Sequence, residues 1–323
     1  MVSGPRGRSL PNESRTMLNG KFKGVVVPSV TPLTPDERVD TASLRRLVNY
    51  LIDEGAHGIW AAGTTGEFAA LRDDQRILAI EKTAEEVNGR VPVIGNVSGA
   101  GTQATIDMAR ALAESGLDGI AATPPYYYLY DQGEIADHFR AISDAVSQPL
   151  WVYNIPITVK LTVEPATIAD LAAEGTVVGV KDSSGQGEAF AELVARCRRN
   201  GAEMYRFLGS VYRTTMTKCL GAHGTIPGGG NIAAGALSRA WEAGEAGDTE
   251  KANEYLDRAL SAQRVMGLAK AGGRNASTSS GLKSSLKILG IIDHDTVSAP
   301  MRSLTEEEKA QIPGILREAG LLT

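Results

Sequence analysis

Residues 150–181 read LWVYNIPITVKLTVEPATIADLAAEGTVVGVK. Two apolar runs, Leu150–Asn154 and Thr176–Lys181, bracket a segment with a helical pattern. The runs do not alternate apolar with polar, as expected of parallel strands buried on both faces. Working outward, runs of the same kind recur at Gly24–Val27, His57–Ala62, Val91–Val97, Gly119–Thr123, Tyr205–Gly209 and Gly224–Ile226. Their starts are about 20–35 residues apart, the length of one strand–helix unit. Helical stripes fill the gaps. After Asp40, Leu44, Leu47, Val48, Leu51 and Ile52 share one face. Thr102 opens another stripe with Ile106, Ala109 and Leu112, and Phe190, Leu193 and Val194 form a third. Strand–helix alternation implies parallel strands joined by right-handed crossovers, and eight strands imply a closed (β/α)8 TIM barrel. The rival is an open doubly wound sheet. No G-x-G-x-x-G follows the first strand, which weakens the dinucleotide-binding form of that rival.

From about Ile232 onward the strand signals stop. Helices are expected over Ala234–Ala246, Thr249–Ala269, Gly281–Leu289 and Glu306–Ala319, with a loop by composition over Gly272–Ser280. The expected organisation is a disordered tail over 1–19, the barrel over 20–245 and a C-terminal helical region over 246–323. The tail is polar and lacks the apolar stretch of a secretory signal. The 323 residues suit one such barrel with an extension. A hydrophobic content of 42%, a charged content of 22% and a mean hydropathy of −0.12 suit a globular chain with a sizeable core. A net charge of −5 argues against nucleic acid as a partner. No apolar run reaches the roughly 18–20 residues that would span a membrane. The two cysteines, Cys197 and Cys219, fall in helical segments and are too few for a disulfide framework or a four-cysteine zinc site. They read as small reduced hydrophobes of a cytoplasmic protein. The four histidines, His57, His138, His223 and His294, show no ligand spacing, so no metal and no cofactor is expected.

In such a barrel, reacting groups lie at the C-terminal ends of the strands. Three of these ends are unusual. Val177-Val178-Gly179-Val180-Lys181 ends in a lysine. In a dry barrel mouth the ammonium is disfavoured, and a free amine can attack a ketone to form a Schiff base. The plainer alternative is a lysine whose stem packs at the strand end while its head reaches solvent. Leu150-Trp151-Val152-Tyr153-Asn154-Ile155-Pro156 carries a phenol near its end. Tyr153 is either a proton shuttle or a core tyrosine with a satisfied hydroxyl. Gly63-Thr64-Thr65-Gly66-Glu67 follows the second strand. Its consecutive N–H groups and two hydroxyls could cradle a carboxylate, or form an ordinary turn with a capping threonine. Together, an amine for a ketone, a cradle for a carboxylate and a phenol for protons are what a 2-oxo acid requires.

With these pieces the chain resembles the family of dihydrodipicolinate synthase and N-acetylneuraminate lyase, the pyruvate-dependent class I aldolases. The resemblance runs from about Gly20 to the C-terminus. It rests on Pro28-Ser29-Val30-Thr31-Pro32, the GTTGE of 63–67, Pro125-Tyr126-Tyr127, the YNIP of 153–156 and the VKDSSG of 180–185. It implies a barrel with a helical C-terminal region, assembled as a homotetramer, a dimer of dimers. Lys181 would match the Schiff-base lysine and Tyr153 the proton-relay tyrosine. Gly63, Thr64 and Thr65 would hold the substrate carboxylate, with Thr64 and Thr65 extending the hydroxyl relay and Thr65 assisting proton transfer. Tyr127 would be lent across a dimer interface; alone, it reads as a surface aromatic. Ile226 would line the substrate pocket.

Departures from the family shape the expected substrate. Dihydrodipicolinate synthases carry an arginine five residues after the relay tyrosine, where this chain has Thr158. A hydroxyl does not replace a bidentate guanidinium grip on a carboxylate. The lysine-feedback positions of those enzymes are unmatched, being Asp73, Arg76 and Ala100 here. The acidic pair by which N-acetylneuraminate lyases bind sugar hydroxyls is replaced by Gly209-Ser210-Val211-Tyr212. The expected activity is a Schiff-base lyase or aldolase acting on pyruvate or a related 2-oxo acid. It would make or break a C–C bond with a hydroxyaldehyde, as for a 2-keto-3-deoxy sugar acid or a 4-hydroxy-2-oxo acid, with Thr158 contacting that partner. Alternatives are 4-hydroxy-tetrahydrodipicolinate synthesis, dehydration of a deoxy sugar acid, or non-catalytic 2-oxo acid binding.

Overall fold

The computed structural model describes residues 20–322, so the expected tail over 1–19 lies outside the described residues. Eight parallel strands close into a barrel in sequence order. They are β1 (Gly24–Pro28), β2 (Gly58–Ala61), β3 (Val93–Asn96), β4 (Gly119–Ala122), β5 (Leu150–Asn154), β6 (Gly179–Asp182), β7 (Tyr205–Leu208) and β8 (Gly224–Thr225). All eight expected runs are strands. The sixth begins at Gly179 because Thr176 and Val177 still bond the Leu171 carbonyl in the turn before it.

The barrel helices are α1 (Thr41–Asp53), α2 (Asp73–Val87), α3 (Thr102–Ala111), α4 (Gln132–Ala145), the single turn α5 (Pro156–Val159), α6 (Pro165–Ala173), α7 (Gly187–Asn200), the single turn α8 (Thr217–Leu220) and α9 (Gly230–Ala246). The stripe of α1 buries Leu44, Leu47, Val48 and Leu51, and Asp40 caps it by accepting from the Ser43 amide. Both cysteines are free, Cys197 buried and Cys219 exposed on α8. That short turn has only one buried residue, Thr217, so its thiol finds no core to enter. Among the described residues, no helix is long and apolar enough to cross a membrane.

The C-terminal helices are α10 (Thr249–Gln263), α11 (Arg274–Ile288), α12 (Glu306–Lys309) and α13 (Ile312–Glu318). The expected helix Thr249–Ala269 tightens into a 3₁₀ turn at Arg264–Gly267, and the expected Glu306–Ala319 helix is interrupted. The second helix starts at Ile312 with Pro313 in its first turn, where the missing N–H is tolerated but cannot continue the helix before it.

The loop expected over Gly272–Ser280 is helical from Arg274. Serine and glycine there serve close approach. A Cβ on Gly281 would lie 2.0 Å from the Val265 carbonyl oxygen. The Ser280 hydroxyl accepts from the Leu304 amide at 2.7 Å, and Ser279, Ser284 and Ser285 are buried.

The barrel floor is aromatic. Trp151 stacks on Tyr205 at 5.6 Å between ring centres, and Phe22 meets both edge-on. Gly179 makes room for the indole; a Cβ there would sit 2.5 Å from the Trp151 ring. The floor closes one end of the barrel and leaves the strands' C-terminal ends open for chemistry.

Candidate active site

At that open end lies a cavity of about 1070 Å³, lined by Lys181, Tyr153, Thr64, Thr65, Thr158 and Ile226 among others. Strand register builds its centre. Tyr153 on β5 pairs with Lys181 on β6, which pairs with Phe207 on β7. Residues paired across parallel strands point to the same side, so the amine and the phenol share one layer.

Lys181 is 3% exposed. Its Nζ lies 4.2 Å from the centre of the Tyr153 ring and 4.8 Å from that of Trp60. Among the described residues no carboxylate forms an ion pair with it. Ring faces support the ammonium only in part, and burial pulls the Lys181 pKa down to about 7. A substantial share of the amine is therefore neutral and nucleophilic near pH 7.

The Tyr153 hydroxyl lies 3.1 Å from Thr64 Oγ1. Burial raises its pKa to about 12, opposed by hydrogen bonds from Thr64 and Ser183. The phenol stays protonated at neutral pH and can give and regain a proton. The residue at its oxygen is Thr64, one of the two threonines expected in the hydroxyl relay. Thr65 lines the same cavity, with Oγ1 directed toward Gly228. Ala62, at φ 48°, turns the chain sharply after β2.

Other expected site residues fall differently. Gly63 is not among the cavity-lining residues. Its carbonyl accepts from the Phe68 amide, and a Cβ there would meet Trp60 at 2.9 Å. The Thr158 hydroxyl is committed to the Ile155 carbonyl at 3.1 Å, although the residue lines the cavity. Ile226 is buried at the end of β8. Tyr127 is not among the lining residues and is 87% exposed, edge-on to Tyr128.

The structure adds residues that the sequence reading left without a role. Trp60 lies beneath the amine. Ser183, two residues after Lys181 in VKDSSG, hydrogen-bonds the phenol. Asp182 accepts from Asn154 and Ser184, and burial raises its pKa. Arg213, Arg274 and Arg302 line the outer cavity. The last two belong to the C-terminal region, where no motif marked them.

Relatives carry the same architecture. Two 4-hydroxy-tetrahydrodipicolinate synthases, from Pelobacter propionicus and Geobacter sulfurreducens, are 31% and 32% identical over 301 residues. Each alignment covers 93% of this chain and 100% of the relative. YagE, a prophage protein of the dihydrodipicolinic acid synthase family from E. coli K12, solved in complex with pyruvate, superposes with a TM-score of 0.86 at 25% identity. That match covers 93% of this chain and 99% of YagE. The dihydrodipicolinate synthase of Bacteroides thetaiotaomicron superposes with a TM-score of 0.85 at 29% identity, over 92% and 98% of the two chains. The model of the dihydrodipicolinate synthetase family matches residues 21–319, and the chain belongs to that family of pyruvate-dependent class I lyases.

Proposed function

We propose that Lys181 is the imine-forming residue and that the enzyme joins pyruvate to a hydroxyaldehyde, or cleaves the corresponding 2-oxo acid. The observation that carries this reading is a deeply buried amine with no carboxylate ion pair among the described residues, in register with a protonated phenol. The amine attacks the ketone carbon, and loss of water from the carbinolamine gives a protonated imine. That imine draws electrons from C3, so a C3 proton can leave to form an enamine, or the C3–C4 bond can break. Tyr153, with Thr64 at its hydroxyl, carries the protons for carbinolamine dehydration and for the oxygen on C4. The Thr64–Thr65 turn receives the carboxylate.

The exposed run Tyr127, Tyr128 and Leu129 supports an assembly in which Tyr127 completes a neighbouring site, in a dimer of dimers. Tyr127 has φ 91°, a conformation rare for a side chain of its size and one that clusters at functional sites.

The second substrate follows from Thr158. A neutral hydroxyl is missing a charge-assisted grip worth about 2–3 kcal/mol, or roughly 30- to 150-fold in kcat/KM. Pyruvate with glyceraldehyde should therefore outperform pyruvate with aspartate semialdehyde. The synthase activity of the curated relatives is the second reading, favoured by the arginines in the outer cavity. A side-by-side assay of both acceptors on the wild type, Thr158→Arg, Arg274→Ala and Arg302→Ala decides between them. Efficient use of aspartate semialdehyde by the wild type, lost in either alanine variant, restores the synthase. In the same assay Tyr127→Phe should lower kcat, and sedimentation should report more than one chain per particle. A monomer, or an unchanged kcat, removes Tyr127 from the site.

A further inference from the structure

Glu67 ends the GTTGE turn, and the chemistry above gives it no role. It is buried beneath the turn that carries Thr64 and Thr65. Its side chain and that of Lys283 on α11 are both wholly inaccessible, with Oε1 2.5 Å from Lys283 Nζ. Glu67 Oε2 accepts from the Ser298 amide at 2.7 Å, and Lys283 also donates to the Thr296 carbonyl at 2.8 Å. Glu37 and Asp295 add their charges to the field at this ammonium. The turn closes on itself through Glu67 N–H to the Thr64 carbonyl and Phe68 N–H to the Gly63 carbonyl. It is held from the β1 side by the Thr31 hydroxyl on the Gly66 carbonyl at 2.8 Å. From the C-terminal side, the Glu67 carboxylate ties it to Lys283 and Ser298.

We propose that Glu67 and Lys283 are positioning residues for the carboxylate cradle, fixing the Thr64–Thr65 turn to α11 and to the segment around Ser298. This rests on the reading of that turn as the 2-oxo acid's carboxylate site. A buried ion pair is no more stabilising than apolar side chains of similar volume, so stability alone does not account for it. Directed hydrogen bonds do, because they set where the turn stands. Residues Arg274, Asn275 and Thr278 of α11 line the same cavity, so one helix both walls the site and anchors its cradle.

The test uses the intact enzyme and pyruvate, trapping the imine with borohydride across a pyruvate titration. Glu67→Leu with Lys283→Met leaves no orphan charge. It should melt near the wild type, yet need about tenfold more pyruvate or more for half-maximal trapping. Its rate at saturating pyruvate should stay within about threefold of the wild type. Glu67→Gln turns one of the two acceptor oxygens into a donor and leaves the Lys283 ammonium without its counter-charge, so it too should need more pyruvate than the wild type for half-maximal trapping, and should melt lower than the double variant. A double variant with both melting and pyruvate requirement unchanged would overturn the proposal. A second measurement needs no variant. Saturating pyruvate should slow amide exchange at Ser298 more than in α3, and equal protection in both would overturn it too. A wild type that traps no pyruvate at all fails differently, removing the imine reading on which this rests.

Discussion

Lys181 and Lys283 are both buried, and burial lowers the pKa of each. Lys283 meets a carboxylate at 2.5 Å, while Lys181 meets two aromatic faces. The first arrangement holds a charge, and the second leaves an amine able to shed its proton near neutrality. The neutral fraction of Lys181 rises through about pH 7, so the initial rate of pyruvate trapping should climb from pH 6 to 8 and then level. A rate still climbing steeply at pH 10 would mean an unperturbed lysine is responsible. In stability the sign is opposite to that of a paired lysine. The cost of burying the cation is full below about pH 7 and fades as pH rises toward the unfolded value. Tyr153→Phe keeps the ring under the amine and removes the hydroxyl that meets Thr64. Its kcat should fall on the order of 10²- to 10⁴-fold, and near-normal turnover would make the hydroxyl structural. Lys181 and Tyr153 were legible in the sequence because each interrupts an apolar strand at its end. The choice between Thr64 and Thr65 was not, because neighbouring side chains in a turn are aimed by backbone angles that residue type does not reveal.

Among the elements, legibility followed burial on both faces. Each strand reads as a continuous apolar run because helices cover one side and the packed interior the other. Helix α11 is the counterexample. Its first half buries Ala276, Ser279 and Ser280, so that half has no apolar stripe and reads as a loop, while the half from Gly281, which buries Leu282 and Leu286, reads as a helix. Small residues let it approach the Val265 backbone, which a sequence pattern tuned to large side chains does not register. Gly281→Ala should therefore cost about 1–3 kcal/mol of stability by forcing α11 away from that carbonyl. Gly314→Ala on α13, with nothing near its added methyl, should be neutral or add roughly 0.5–1 kcal/mol. Thermal melts of the two variants check the pair, and equal effects would contradict the packing account of α11.

At the scale of the molecule, the closed barrel brings groups from distant parts of the chain to one mouth. Thr64 follows β2, Tyr153 and Lys181 end β5 and β6, and Arg274 and Arg302 arrive from the C-terminal region. The strand-borne part of this set was readable from spacing, since strand ends in such a barrel share one face. The C-terminal contribution was not, because its contacts depend on how helices return over the barrel. The central claim is that Lys181 forms the imine, and one measurement addresses it directly. The enzyme is incubated with saturating pyruvate, reduced with borohydride and digested, and its peptides are weighed. The account predicts a reduced pyruvyl adduct on the peptide bearing Lys181, and none in Lys181→Ala. No adduct in the wild type, or an adduct on a different lysine, would contradict it.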